Sequence, residues 1–246
     1  MKLEAAGVTH VGRVRRANED ALLVRPEHGI LAVADGMGGH PAGEVAAALA
    51  VRALVDAFPR RPSPRMLPAT LLHTLRGAVA AANRAMEIHA TLDPATAGMG
   101  TTLTALAFLP GGAAAALAHV GDSRAYLLRA GRLAQLTEDH TWVQEQVAAG
   151  VLTPAAARRH ARAATLTSAL GEVDGPERLD ARLLEPVTGD VYLLCSDGLS
   201  GMLEDHRLAE LMRANPAPAA AAAALIEAGN AAGGRDNLTA VVARLA

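Results

Sequence analysis

Apolar residues recur along this chain at two different periods, and the change from one to the other separates helices from strands. Between residues 68 and 92, Leu71, Leu75, Val79, Ala82 and Met86 follow at steps of three and four. That spacing lines one face of a helix and predicts packing against an apolar layer. Residues 42–58 read as a second helix, opened by the His40-Pro41 step and stopped by Pro59 and Pro62. Shorter helices are predicted near 141–149, 154–163, 205–214 and 217–229, the last closed by Gly229 and the Gly233-Gly234 pair. Branched and apolar runs bounded by Gly, Pro or Asp predict eight strands, at 20–25, 29–34, 102–109, 113–120, 124–129, 178–184, 190–195 and 238–244.

The connection between 102–109 and 113–120 is too short for a helical crossover, so antiparallel pairing is expected. Pro110, Gly111 and Gly112 also break the weakly polar stretch from Leu103 to Val120, which therefore reads as two strands and not as a membrane span. Helices outside packed antiparallel sheets are the architecture these elements favour. There is no repeat at a period of 20–50 residues and no Ser/Gly linker, so one domain is expected over residues 1–246.

Composition narrows the function classes. Net charge is −2 and aromatic residues are 2% of the chain, which leaves neither a basic field nor stacking platforms for nucleic acid. The one cysteine, Cys195, cannot make an internal disulfide or a CxxC site, as suits a reducing compartment. Charged residues interrupt the first twenty positions, which lack the apolar core of a signal peptide. A cytoplasmic protein without a membrane span is the expectation.

Four acidic positions share a local grammar in which an apolar run ends in Asp beside a turn residue. They are Asp35 in LAVADGMGG, Asp122 in LAHVGDSRAYLL, Asp197 in VYLLCSDGLSG and Asp236 in AGGRDNLTAVV, and a fifth, Asp20, opens a strand in RRANEDALLV. Each alone is ordinary turn chemistry. Gathered at one sheet edge, they would repel strongly and demand a cation. No lysine accompanies them, and an all-oxygen donor set selects hard ions such as Mg²⁺ or Mn²⁺ over zinc. The working expectation is a binuclear site, in which two ions about 3.5–4 Å apart activate a bridging water and clamp a phosphate.

The series RRANEDA, ADGMGGHPAGE, GMGTTL, HVGDSRAYLLRAGRLAQLTEDHTW, TSALG, LCSDGL and GGRDNLTAVV, running from about residue 7 to 243, resembles the bacterial branch of the metal-dependent PPM (PP2C-type) serine/threonine protein phosphatases. The resemblance implies an α+β fold, a four-layer α-β-β-α sandwich with metals in a cleft at one end. By motif position it implies that Asp35 bridges two metals, that the Gly36 carbonyl binds one of them, and that Asp197 and Asp236 bind the first. Asp20, supported by Glu19, would reach the second partly through water. Asp122 with Asp197 would hold a third, weaker ion.

Arg15 resembles the arginine that grips the substrate phosphate. A guanidinium can take two phosphate oxygens at once, with Arg13 and Arg16 as neighbouring competitors. A strand here would put Arg13 and Arg15 on one face and Arg16 on the other. His40 is a candidate acid for the leaving serine or threonine oxygen, and its bland alternative is a helix-start histidine. His119 and His140 read as structural.

Residues 141–165 correspond to the family's flap beside the cleft. HARAATLTSALG departs from the usual flap text at Ala161, Ala164 and Ser168, so no substrate preference carries over. Implied partners are phosphoserine and phosphothreonine proteins and a cognate serine/threonine kinase or kinase-regulated secretion system, with the enzyme itself a monomer. The main alternative is a catalytically weak regulatory module of the same fold, which should lack a metal carboxylate; all five are present. A dinucleotide loop fails because Pro41 stands where GxGxxG needs glycine, and CSDGL around Ser196 is not GxSxG.

Overall fold

The computed structural model describes residues 1–39 and 42–246. Among these, the strands are β1 (Leu3–His10), β2 (Asp20–Arg25), β3 (Ile30–Asp35), β4 (Leu103–Phe108), β5 (Ala115–Val120), β6 (Arg124–Arg129), β7 (Arg132–Gln135), β8 (Asp180–Leu184), β9 (Val191–Cys195) and β10 (Leu238–Leu245). The helices are α1 (Gly43–Ala57), α2 (Pro68–Leu92), α3 (Trp142–Ala148), α4 (Pro154–Ala157), α5 (Asp197–Ser200), α6 (Asp205–Ala214) and α7 (Pro218–Ala231). The strands form two antiparallel sheets of five, ordered β1-β10-β9-β6-β7 and β2-β3-β4-β5-β8.

Strand alternation builds the layers. In β3, Ile30, Ala32 and Ala34 pack against α1 and α2, whereas Leu31 and Val33 face the other sheet. In β9, Val191, Leu193 and Cys195 pack with α6 and α7, while Tyr192 and Leu194 face inward. The result is the expected α-β-β-α sandwich with three apolar contact zones. Burying each large inter-sheet side chain contributes about 1.5–3 kcal/mol relative to exposure. The same parity carries Asp20, Asp35 and Thr239 onto the inter-sheet face, at the end where the apolar filling stops.

The differences from the sequence pattern are local. β1 and β7 escape it, and they are the two edges of one sheet; β7 has only four residues, none of them buried. Residues 11–19 make no strand, because the chain turns after β1 and the Arg13 N–H bonds the Gly234 carbonyl at 2.7 Å. α4 stops at Ala157, its one buried residue, and Arg158 turns instead to Glu204 and the Ser200 carbonyl. α7 runs past Gly229, where a Cβ would stand 3.0 Å from Leu199 and 3.1 Å from Leu238, so that glycine serves close packing and not helix termination.

Candidate metal-binding site

Antiparallel pairing brings distant acids to one end of the sandwich. Asp20 opens β2 and lies directly opposite Asp35, the last residue of β3. Asp122 occupies the turn by which the chain leaves β5 for β6 in the other sheet, a turn that needs Gly121 at φ 99°. Asp197 opens α5 just beyond β9, and Asp236 lies two residues before β10. Asp35, Asp122, Asp197 and Asp236 line a cleft of about 590 Å³ together with Arg15, Glu19 and Gly36. Asp20 lies beneath that surface. His40 falls outside the described residues.

The cleft is electrostatically incomplete. Burial first, then the charges of Asp20, Asp197 and Asp122, pushes the Asp35 carboxyl well above its ordinary range. Asp122 rises well above it too, through burial and then Asp197, against a smaller opposing pull from Arg124. Asp197 is raised by burial and then by the charge of Asp236. Burial pushes Asp20 up to about 6 even though two hydroxyls serve it. Among the described residues, no salt bridge reaches Asp20, Asp35, Asp122 or Asp197. Among the described residues, the cleft acid that has a cation is Asp236, whose Oδ2 accepts from the Arg15 guanidinium at 2.7 Å.

The scaffold fixes these acids firmly. The Asp35 N–H donates to Thr102 Oγ1 at 3.1 Å, and its carbonyl accepts from the Thr102 N–H and the Thr101 hydroxyl, both at 2.9 Å. Gly36 sits so close to Gly43 that a Cβ would stand 2.4 Å from that backbone, which explains glycine there. Asp20 Oδ2 accepts from Ser196 Oγ at 2.8 Å and Thr239 Oγ1 at 2.5 Å, while its buried Oδ1 has no hydrogen-bond partner.

An orphaned carboxylate oxygen beside three unneutralised acids, all of them hard oxygen donors, fits divalent cations of the Mg²⁺/Mn²⁺ class. Among the described residues, no three acidic, histidine or cysteine side chains already surround one point closely enough to chelate an ion unmoved. A bound cation would offset the repulsion between these carboxylates and could draw them together.

Several contributors were invisible to motif reading. Ser196 and Thr239 hold Asp20, and Thr239 carries a usable signal as a polar residue on the inward parity of β10. Asn237 bonds three points of the loop that carries Arg15. Arg13 and Arg16 do not line the cleft; Arg15 does.

The flap residues Ala164, Thr165 and Leu166 form part of the cleft wall, and Trp142 at the flap's root stacks under Arg162 at 4.1 Å and against His160 at 5.1 Å. His119 and His140 are buried, 4.6 Å apart. Burial lowers both, His119 to about 4. The Cys195 thiol is buried and pushed up to about 12, unsuited to nucleophilic work. Among the described residues no helix is long and apolar enough to cross a membrane.

Comparison with known proteins gives consistent matches. A family model described as protein phosphatase 2C matches residues 7–241. The chain is 43% identical to the serine/threonine protein phosphatase PstP of Mycobacterium tuberculosis over 94% of its own length, and it spans 43% of the length of that relative. The catalytic domain of PstP, solved in complex with two manganese ions, superposes with a TM-score of 0.86 at 41% identity, covering 98% of this chain and 97% of that one. The serine/threonine phosphatase stp of Listeria monocytogenes is 38% identical across 94% of this chain and 91% of its own. PppA of Pseudomonas aeruginosa, described as a key regulatory component of a type VI secretion system, superposes with a TM-score of 0.85 at 37% identity, covering 99% of this chain and 98% of that one.

Proposed function

The chain belongs to the protein phosphatase 2C family, and from that membership and the chemistry of its cleft we propose that it is a metal-dependent phosphatase of phosphoserine and phosphothreonine proteins. The carrying observation is the meeting, from two sheets, of carboxyls at Asp35, Asp122 and Asp197 that no arginine or lysine pairs among the described residues, beside an exposed arginine, Arg15, that Asp236 holds at the cleft.

In this reading Asp35 would be a ligand shared by two ions, with the Gly36 carbonyl, Asp197 and Asp236 as further candidate ligands. Asp20, through its unpartnered oxygen, with Glu19 in support, would serve the second ion, and Asp122 with Asp197 would offer a third position. Bound Mn²⁺ or Mg²⁺ supplies a polarised water as nucleophile and positive charge for the phosphoryl oxygens. The chain's own residues do the rest. Arg15 takes two phosphoryl oxygens in its planar fork and orients the ester for in-line displacement. Asp236, by its hydrogen bond, and Glu19, by its charge, raise the protonation range of that guanidinium further. His40 is the candidate that returns a proton to the departing serine or threonine oxygen. No protein nucleophile is needed, in keeping with the buried Cys195 and with a Ser196 hydroxyl committed to Asp20.

Residues 1–246 act in this proposal as one catalytic domain, monomeric and cytoplasmic. It opposes a serine/threonine kinase, and a kinase-regulated secretion system is the setting that PppA suggests. The test is phosphate release from a phosphothreonine peptide. Release should require added Mn²⁺ or Mg²⁺ and stop in EDTA. Release that ignores EDTA would overturn the metal mechanism, and metal binding without any turnover would support the regulatory-module alternative.

A further inference from the structure

Arg15 stands on a loop with no secondary structure, and its side chain is 45% exposed. A grip on phosphate from such a loop needs the backbone held elsewhere, because a misplacement of about 1 Å at a positioning group can cost about 100-fold. One side chain supplies three of the ties. Asn237 is buried, and its Oδ1 accepts from the Glu19 N–H at 2.8 Å while its Nδ2 donates to the Val11 carbonyl at 3.0 Å and the Ala17 carbonyl at 2.9 Å. Those three points bracket Arg15 on both sides. The Arg13 N–H adds a fourth tie to the Gly234 carbonyl at 2.7 Å. Opposite the guanidinium lies Gly38, where a Cβ would come within 2.9 Å of an Arg15 terminal nitrogen. The loop is thus pinned from below by Asn237 and given room above by Gly38.

We propose that Asn237 is a positioning residue for phosphate recognition: its carboxamide fixes the residue 11–19 loop so that Arg15 is presented ready to bind, with Gly38 leaving the space the guanidinium occupies. The inference rests on the reading of Arg15 as the phosphate grip. The carboxamide is suited to this role because it donates and accepts at once. An aspartate in its place would face the Val11 and Ala17 carbonyls with no donor, and an alanine would remove all three bonds to the loop backbone.

The experiment is a double-mutant cycle read by calorimetric binding of inorganic phosphate to the Mn²⁺-loaded protein, with Mn²⁺ affinity measured alongside. Wild type, Asn237→Ala, Arg15→Ala and the double variant are compared. Arg15→Ala and Asn237→Ala should each weaken phosphate by about tenfold. The double variant should be within about twofold of Arg15→Ala alone, because a mispositioned loop has nothing left to misplace. Mn²⁺ affinity in Asn237→Ala should stay within about twofold of wild type. Additive losses, or a fall in Mn²⁺ affinity that accounts for the phosphate effect through neighbouring Asp236, would overturn the inference. If Asn237→Ala does not fold, Gly38→Ala crowds Arg15 with the loop anchors intact. It should give the same loss and the same lack of additivity with Arg15→Ala, and unchanged phosphate affinity there would overturn the inference as well. Unchanged affinity in Arg15→Ala itself would instead remove the reading of Arg15 on which the inference stands.

Discussion

Strand β9 is bracketed by two aspartates with opposite fates. Asp190, just before it, is fully buried and fully satisfied: Oδ1 and Oδ2 each accept from the Arg129 guanidinium at 2.7 Å, and Oδ2 also takes the Val187 N–H at 2.9 Å and the Tyr192 hydroxyl at 3.2 Å. Burial works to raise its protonation range, yet those bonds outweigh it and the net shift is downward. Asp197, just after the strand, has no ion-pair partner; burial and Asp236 raise it. One end of the sandwich solves its buried charge internally, and the other leaves the same problem open. Strongly perturbed groups left without a partner mark functional sites, and the proposed function gives a cation the task of completing this one.

The sharpest way to break this contrast is to neutralise the open end. Asp35→Asn or Asp197→Asn should lower kcat by at least about 100-fold with the fold intact, since a ligand is lost but a repulsion is relieved; full activity in either, measured with a phosphothreonine peptide, would refute the ligand assignment. At the closed end the effect should invert. Asp190→Asn should cost about 3 kcal/mol of unfolding free energy in denaturant titrations, a drop in Tm of about 6–12 °C, and leave kcat unchanged. Arg129 is partly exposed and can rehydrate, which keeps the loss at the low end for broken buried pairs.

Metal should sharpen the distinction further. Mn²⁺ at 100 times its dissociation constant should stabilise wild type and Asp190→Asn by about 2.7 kcal/mol, seen as a Tm rise, and Asp35→Asn far less.

The smallest effect concerns the buried pair behind the cleft. His119 is held neutral, its value lowered from 6.5 to about 4. A depressed base binds fewer protons folded than unfolded, so its contribution is present above about 6.5 and is lost as pH falls toward 4, up to about 3 kcal/mol in total and about 2 by pH 5. The raised carboxyl of Asp20 has the opposite sign: its stabilisation is full at low pH and is lost as pH rises through about 6. The difference in urea midpoint between wild type and His119→Gln, followed from pH 7 to pH 5, isolates the histidine. That difference should shrink as the solution is acidified, and a constant difference would contradict a neutral buried His119.

Much of this was legible in the sequence, and the unread parts have physical causes. β2, β6, α2 and α6 have the boundaries their apolar spacing predicts, because each presents one strongly apolar face to a layer. β1 and β7 were not readable because neither carries a clear apolar run: β1 mixes Glu4, Ala5, Ala6 and Gly7 into LEAAGVTH with no fully buried residue, and β7 is four residues, none buried. The acids were visible through their motifs, since each ends or opens an apolar run. The side chains that hold them were not. Thr239, Ser196 and Asn237 act across separations of 43 to 226 residues, and short-range patterns do not encode such pairings. The register of Arg15 was the intermediate case: its assignment follows from motif position, whereas the strand that would have set its face is a turn.

The account stands or falls on what completes the open end. The most direct measurement is anomalous scattering at the manganese edge from crystals soaked in Mn²⁺. It should show at least two peaks enclosed by Asp35, Asp197 and Asp236, lost in crystals of Asp35→Asn, with none beside Asp190. An ordered, empty cleft at saturating Mn²⁺, with its carboxyls as far apart as without metal, would contradict the claim.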